Sequence, residues 1–408
     1  MGHAVMSTSV MLVSSSALFI SALARKSIEV FSNHFNVIVV CPYSSVVEDL
    51  CHQTNAIFEP IEIKRKPSPV RDIQAIFKLR SVVIKTSPNV VLSYNAKGGL
   101  ICGIVASLVR KPKYVHNFTG LIGPYASGIA RYIYKTTEFL TLNGVDLAIA
   151  ESKGVKRQLL PLARKPSKLV LLGDGNMSGV NVEKFKPASL TKRSELRKGW
   201  DVRSNQRIAL YIGRINPDKG ILPMIEAVNL VRQDWGELKL WIVGGLDDND
   251  EYNQSFQKAI RGHEWIRFFD FQTGIERFLQ AADFLILPTL REGFPNVVLE
   301  SLACGLPVLV TDVPGVEETV RATGFGTVVP SNKQADITKG LLQIKTQLLI
   351  LDKIDQKRAI DLIRQRYDQH LVINRYMRLI KELASNQSID DGKVARLSKS
   401  TEVSSQGE

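Results

Sequence analysis

The stretch Ile208-Ala209-Leu210-Tyr211-Ile212-Gly213-Arg214-Ile215-Asn216-Pro217-Asp218-Lys219-Gly220 decides how this chain folds. Its first five residues are apolar and read as a strand buried on both faces; the glycine-bounded segment behind them reads as a turn. A helical pattern, Ile221–Gln233, follows directly. Strand, short loop and helix form half of a parallel crossover unit. Ligands of parallel sheets sit at the carboxyl ends of strands. A loop there that carries Arg214 and Lys219 between Gly213 and Gly220 reads as a cradle for a diphosphate. The guanidinium offers forked hydrogen bonds, the ammonium a compact charge, and the helix start adds backbone donors. Taken alone, the same residues read equally as an ordinary strand-to-helix turn with two exposed cations.

The same alternation runs along most of the chain. Strand-like runs are Val37–Cys41, Val90–Ser93, Tyr114–Phe118, Leu147–Ala150, Leu169–Leu172, Leu238–Val243, Ile266–Phe269, Phe284–Leu287 and Val308–Thr311. Helical stretches such as Val70–Thr86, Gly98–Arg110, Tyr252–Arg261 and Asn296–Ala303 lie between them. This predicts α/β architecture with parallel sheets covered on both faces. So many strands predict two Rossmann-like, doubly wound domains rather than one. The turn-rich Asp174-Gly175-Asn176 and the nearby Gly179 set the expected boundary, giving domains 1–178 and 179–366. A last helix, 367–385, is too far along to cover the second sheet, and the polar, aperiodic 386–408 reads as a flexible tail. At the other end, no Lys or Arg precedes the apolar run of residues 4–24, and Ser14-Ser15-Ser16 interrupts it. We read a strand at about Val5–Val13, a serine turn, and a helix at about Leu18–Phe31. A secretory signal ending at Ala22-Leu23-Ala24 is the alternative.

The chain has 408 residues, 44% hydrophobic and 23% charged. These values argue against disordered, collagen-like and disulfide-rich classes. No run of about 18 apolar residues suggests a membrane-spanning helix. Cys41, Cys51, Cys102 and Cys304 show neither a CxxC pair nor a metal spacing, and read as reduced thiols of a cytoplasmic protein. Residues 1–180 hold 21 Lys and Arg against 10 Asp and Glu, and the remainder holds 32 against 30. A basic first half points to an anionic partner or to a basic solubility face. No nucleic-acid-binding motif accompanies the charge.

A second motif, Arg291-Glu292-Gly293-Phe294-Pro295-Asn296-Val297-Val298-Leu299-Glu300, follows the strand Phe284–Leu287. Pro295 fits the first position of a helix, and Gly293 permits close approach to a ligand. Glu292 falls in the loop, and Glu300 two turns into the helix on a similar face. Two carboxylates facing one cleft suit sugar and ribose hydroxyls; the alternative is a helix-start acid and a solvated Glu. An unpaired Glu300 beside Val297-Val298-Leu299 favours a ligand.

Together the two segments resemble glycosyltransferase family 4, retaining, nucleotide-sugar-dependent enzymes of the GT-B fold. Gly213–Gly220 is similar to its G-R-x-x-P-x-K-G loop. Arg291–Glu300, continuing through Ala303-Cys304-Gly305-Leu306-Pro307-Val308, is similar to its E-G-x-P and paired-glutamate motif. The resemblance implies two Rossmann-like domains facing across a cleft. It gives Arg214 and Lys219 the departing diphosphate, Glu292 the donor-sugar hydroxyls, and Glu300 the nucleotide ribose. Gly213, Gly293, Phe294 and Pro295 would line the donor site, with backbone donors from Gly293 and Phe294. It implies no metal, no other cofactor, and a nucleotide-diphospho sugar, UDP-linked, as donor.

In the first half, Tyr94 and Asn95 stand where family members often carry a His-rich turn, and Lys97 is kept. Lys97 reads as a phosphate or acceptor contact, or as a solvated helix-start cation. Thr119, before Gly120, holds the place where many relatives have a His, so His116 reads as a packed strand residue. The Phe118-Thr119-Gly120-Leu121 form resembles a subgroup that extends lipid-diphosphate-linked saccharides in cell-surface polysaccharide assembly. Ser15 and Ser16 replace a glycine-rich first loop and are candidates for the acceptor or donor cleft. Asp247-Asp248-Asn249-Asp250-Glu251 reads as a solvated loop. Lys64-Arg65-Lys66, the stretch 70–86 with Arg71, Lys78, Arg80 and Lys85, and Arg131, Tyr132, Tyr134 and Lys135 suit an anionic membrane surface. The expected protein is a cytoplasmic hexosyltransferase, peripheral on the inner face of the membrane. Its partners are a nucleotide sugar and a lipid-linked saccharide acceptor, with no nucleic acid. The alternatives are an epimerase or phosphorylase of the same fold, or a non-catalytic carbohydrate- or membrane-binding protein.

Overall fold

The computed structural model describes residues 8–64, 68–235, 237–350 and 353–385. Readings that fall on residues 5–7, on Arg65 and Lys66, and on 386–408 lie outside the described residues. The chain divides into two compact units: one runs to Gly179 and resumes at His370, and the other is Val180–Gln369.

The strands of the first unit are β1 (Ser9–Ser14), β2 (Asn36–Val40), β3 (Ile57–Phe58), β4 (Val90–Tyr94), β5 (Lys113–Phe118), β6 (Leu147–Ala150) and β7 (Leu169–Leu171). They form one sheet in the order β3-β2-β1-β4-β5-β6-β7, with every pairing parallel. Alternate residues of a strand point to opposite faces, and each face has its own core. Val10 and Leu12 join a cluster with Val37, Val39 and Leu92, whereas Met11 and Val13 join Ile38, Val40 and Val91. The helix Gln369–Ala384 completes the first of these cores with Val372, Ile373, Tyr376, Leu379, Ile380 and Leu383. Tyr376 there donates its hydroxyl to Asn117 Oδ1 at 2.7 Å. The serine turn is followed by a helical run, Ala17–Phe31, with one π-turn at Ile20–Ala24.

The second unit holds β8 (Arg207–Ile212), β9 (Leu238–Val243), β10 (Ile266–Phe269), β11 (Phe284–Leu287), β12 (Val308–Thr311) and β13 (Gly326–Val329). Their order is β10-β9-β8-β11-β12-β13, again parallel throughout. At the amino ends of these strands Asp283 organises the entry. Its carboxylate accepts from the Ile208 N–H at 2.8 Å, from Arg197 at 3.1 Å and from Arg193 at 3.0 Å. That is the end of the sheet opposite to where ligands bind, so the cluster ties the helix Leu190–Gly199 to the sheet. Among the described residues no helix is long and apolar enough to cross a membrane.

Candidate functional site

Each sheet reverses its order once, between β1 and β4 in the first unit and between β8 and β11 in the second. At such a switch point the loops leaving neighbouring strands diverge and open a crevice. The two sequence motifs leave β8 and β11, so topology alone delivers them to one place.

Contact between the two loops is close. Gly220 has φ +64°, and a Cβ there would overlap the Pro288 carbonyl oxygen. Lys219 Nζ donates to Glu292 Oε1, with the two side chains 12% and 24% exposed. Arg291 donates from Nε and Nη2 to Asp218 Oδ2 at 2.9 and 2.6 Å. Arg214 is half exposed and donates to Asp247 Oδ2 at 3.1 Å; Asn216 Nδ2 donates to the same oxygen at 3.1 Å. Asp247 is thus a positioned acceptor rather than the solvated loop residue expected. Parallel pairing carries the chain from β9 back beside the Arg214 loop, where Ile215 N–H donates to the Gly245 carbonyl at 2.9 Å. Beneath the loop, Tyr211 donates to the Arg214 carbonyl at 2.9 Å. Burial first, and then the Glu292 charge, hold its phenol well above the ordinary range.

Beyond Glu292, Gly293, Phe294 and Pro295 are buried, and the Phe294 ring lies 5.4 Å from that of Tyr367. Pro295 is the residue flanking the helix Asn296–Ala303, not its first member as expected. Its backbone is extended (φ −71°, ψ 116°), and its carbonyl accepts from the Val298 N–H at 3.1 Å. Among the described residues no hydrogen bond or ion pair reaches the Glu300 carboxylate. Burial pushes its pKa up to about 7; Lys184 opposes the rise and Glu276 adds to it. The charges acting on Glu300 are therefore those of Lys184 and Glu276, not of the Lys219–Glu292 pair.

The first unit presents a serine turn at its own switch point. Ser14 donates to Asn95 Oδ1 at 2.6 Å, and its hydroxyl accepts from the Ser16 N–H at 3.1 Å. Ser16 caps the next helix by accepting from the Phe19 N–H at 3.2 Å, and Ser15 is buried. Lys97 is not a solvated cation: it donates to Asp72 Oδ2 at 2.5 Å and is 12% exposed. Thr119 and Gly120 are partly exposed after β5, and Glu138 holds the chain beyond them by accepting from the Ile122 and Gly123 N–H groups at 3.2 and 3.0 Å. His116 lies inside β5, 2.9 Å from Ser93 Oγ, with its pKa pushed down to about 3 by burial. Among the described residues no group of three His, Cys, Asp or Glu is arranged to hold a metal ion.

Two family models match most of the chain. Residues 192–360 match the family model Glycosyl transferases group 1, and residues 10–152 match Glycosyl transferase 4-like. Over 286 residues the chain is 26% identical to "Capsular polysaccharide biosynthesis glycosyltransferase CapM" of Staphylococcus aureus, covering 69% of this chain and 74% of that protein. This chain is a family 4-type glycosyltransferase. The glycosyltransferase is also 23% identical, over 80% of its length and 85% of the relative's, to "UDP-Gal:alpha-D-GlcNAc-diphosphoundecaprenol alpha-1,3-galactosyltransferase" of Escherichia coli. Among solved structures, Anabaena Alr3699/HepE in complex with UDP has the same fold, with a TM-score of 0.75 at 15% identity over 92% of this chain and 100% of that one. The GT-B fold, with two Rossmann-like parallel-sheet domains, is therefore that of this enzyme.

Of the residues singled out in the sequence, the structure bonds Lys219 directly to Glu292 and pairs Arg214 with Asp247 of the loop after β9. Sequence reasoning missed Asp218, Asp247 and the role of Arg291 as a partner. The only local signal was that Asp218 and Arg291 are charged residues beside a motif residue; Asp247, 33 residues from Arg214, carried none.

Proposed function

We propose that the glycosyltransferase moves a hexosyl or N-acetylhexosaminyl group from a UDP-linked sugar to a lipid-linked saccharide, with retention of configuration, in surface-glycan assembly. The observation that carries this reading is the Lys219–Glu292 pair at the β8/β11 switch point. An ammonium and a carboxylate held in contact are the two groups that a sugar diphosphate needs, one for the phosphate and one for the pyranose hydroxyls. The donor replaces their mutual bond with one bond to each.

Sugar transfer passes through an oxocarbenium-like state, and negative charge grows on the leaving phosphate. Fixed cations aimed at that oxygen bind the transition state more tightly than the ground state. Lys219 is held by its pair, and Arg214 by Asp247, so neither must be organised from solution. Glu300 takes the ribose hydroxyls, a role that favours the ionised carboxylate. With a pKa of about 7, Glu300 is largely protonated below that pH. Donor KM is then expected to fall as pH rises from 6 to 8, and Glu300→Gln to flatten that dependence; a Gln variant with the wild-type profile removes Glu300 from the donor site.

The acceptor reading rests on the first unit. The helices Pro69–Thr86 and Gly128–Gly144 both pack on Ala96–Leu108. They leave Val70, Ile73, Phe77, Ile129, Tyr132 and Ile133 exposed. With Arg71, Lys78, Arg80, Arg131 and Lys135 these residues suit an anionic bilayer surface, where apolar side chains enter and cations meet headgroups. The names of the two relatives, a capsular polysaccharide enzyme and a diphosphoundecaprenol-dependent galactosyltransferase, support the same acceptor class.

Product analysis tests the whole reading. Radiolabelled UDP-sugars are supplied with and without undecaprenyl-diphosphate saccharides in anionic vesicles. Label is expected in the lipid fraction, with protein co-sedimenting at low salt and released at high salt. Sugar conversion without acceptor sinks the transferase assignment proposed here. Transfer without any vesicle binding sinks its membrane half.

A further inference from the structure

Lys219 and Glu292 have neighbours of opposite charge. Asp218 precedes Lys219, Arg291 precedes Glu292, and Asp218 and Arg291 are themselves paired. The two loops are thus joined by two adjacent rungs of alternating sign. The rungs are not equivalent. The Asp218–Arg291 rung is reinforced by the main chain: the Asp218 carbonyl accepts from the Leu290 N–H at 2.7 Å and from Thr289 Oγ1 at 3.2 Å. The same Thr289 Oγ1, sharing its one proton, lies 3.0 Å from the Arg291 carbonyl, and the Thr289 carbonyl accepts from buried Thr311 at 2.5 Å. Among the described residues the Lys219–Glu292 rung is joined through its side-chain ends alone, where the proposed reading places the donor.

We propose that Asp218 and Arg291 are positioning residues of the transfer reaction: their rung holds the two loops in register while the donor opens the Lys219–Glu292 rung beside it. This rests on the proposed function, which gives Lys219 the diphosphate and Glu292 the sugar. The chemistry favours such a division. Once a diphosphate takes the ammonium, the contact that joined the motif side chains is gone. The spacing between cation and carboxylate then depends on the neighbouring pair. Arg291 grips one carboxylate oxygen from two of its nitrogens, which fixes direction as well as distance.

The test uses full-length enzyme, UDP-sugar turnover and UDP binding by titration. Arg291→Gln is expected to lower kcat by about ten- to a hundred-fold, the scale of a small misplacement of reacting groups. Its UDP affinity should change less than about three-fold, because UDP carries no sugar to be oriented against Glu292. Arg291→Lys keeps one donor to Asp218 and should recover most of the rate. Asp218→Asn should match Arg291→Gln, and the double variant should cost no more than either alone. A folded Arg291→Gln with wild-type kcat overturns the inference. So does an equal loss of UDP affinity and kcat, or an Arg291→Lys as slow as the Gln variant. Lys219→Met at full activity, by contrast, refutes the underlying reading of the site.

Discussion

Lys219→Met is expected to lower kcat/KM for the donor by roughly a hundred- to a thousand-fold, the usual cost of losing one fixed charge-stabilising group. Most of the loss should fall on kcat, because the leaving-phosphate charge that the proposed function assigns to Lys219 is largest in the transition state. The substitution also strands Glu292, whose side chain is 24% exposed and bonded to Lys219 in the structure. The companion Glu292→Gln removes the other half of the pair and should reduce turnover strongly, with a smaller effect on UDP affinity. Lys219→Arg retains charge but not size, and belongs between wild type and Met. Far-UV circular dichroism would establish that each variant is folded. A folded Lys219→Met turning over at the wild-type rate contradicts the assignment of that residue.

His116 leads to a second large effect, on stability rather than rate. Burial holds its pKa at about 3, against 6.5 for an ordinary imidazole. Between those values the unfolded chain binds a proton that the native state does not. Native stability therefore falls as pH drops through that window, by about 1.4 kcal/mol per pH unit once the unfolded imidazole is charged. From pH 7 to pH 5 the loss from this one group comes to about 2 kcal/mol. His116→Gln should be less stable at pH 7, where it loses a packed ring, but should show a shallower decline in acid. The two units can be followed separately. Trp200, Trp235, Trp241 and Trp265 all lie in the second unit, so their fluorescence is blind to the first. The acid-sensitive step should appear in circular dichroism and be absent from tryptophan emission. Identical acid profiles for His116→Gln and wild type would show that this imidazole is not the source.

The parallel-sheet architecture was readable because its strands are continuous Val, Ile and Leu runs: Leu147–Ala150, Leu238–Val243, Ile266–Phe269, Phe284–Leu287 and Val308–Thr311 form the strands expected of them. The strands that escaped notice are at sheet edges. Ile57–Phe58 has two residues, and Gly326–Val329 opens on a glycine, so neither builds an apolar run long enough to read. Helix starts moved where capping decided them, as at Pro295. In the two loops, Arg214, Lys219 and Glu292 stood out because local spacing marks them. The pairings did not: Lys219 and Glu292, like Asp218 and Arg291, lie 73 residues apart, and Asp247 lies 33 from Arg214. Such pairs are created by the order of strands in the sheet, which no local pattern encodes. Lys97 is similar, since the cation expected to face a ligand or water is held by Asp72 from another helix.

The return of Gln369–Ala384 to the first unit makes that unit discontinuous, with the entire second unit inserted between its parts. During synthesis, amino-terminal domains usually fold as they emerge. Here the earlier unit must wait on the ribosome while the whole of Val180–Gln369 is made, before Val372, Tyr376 and Leu379 arrive to seal its apolar face. The later unit is complete first, so vectorial folding runs in reverse order for this enzyme. A nascent chain whose Val180–Gln369 has just cleared the ribosome would display the inserted unit folded and its partner unsealed, the species that chaperones would meet.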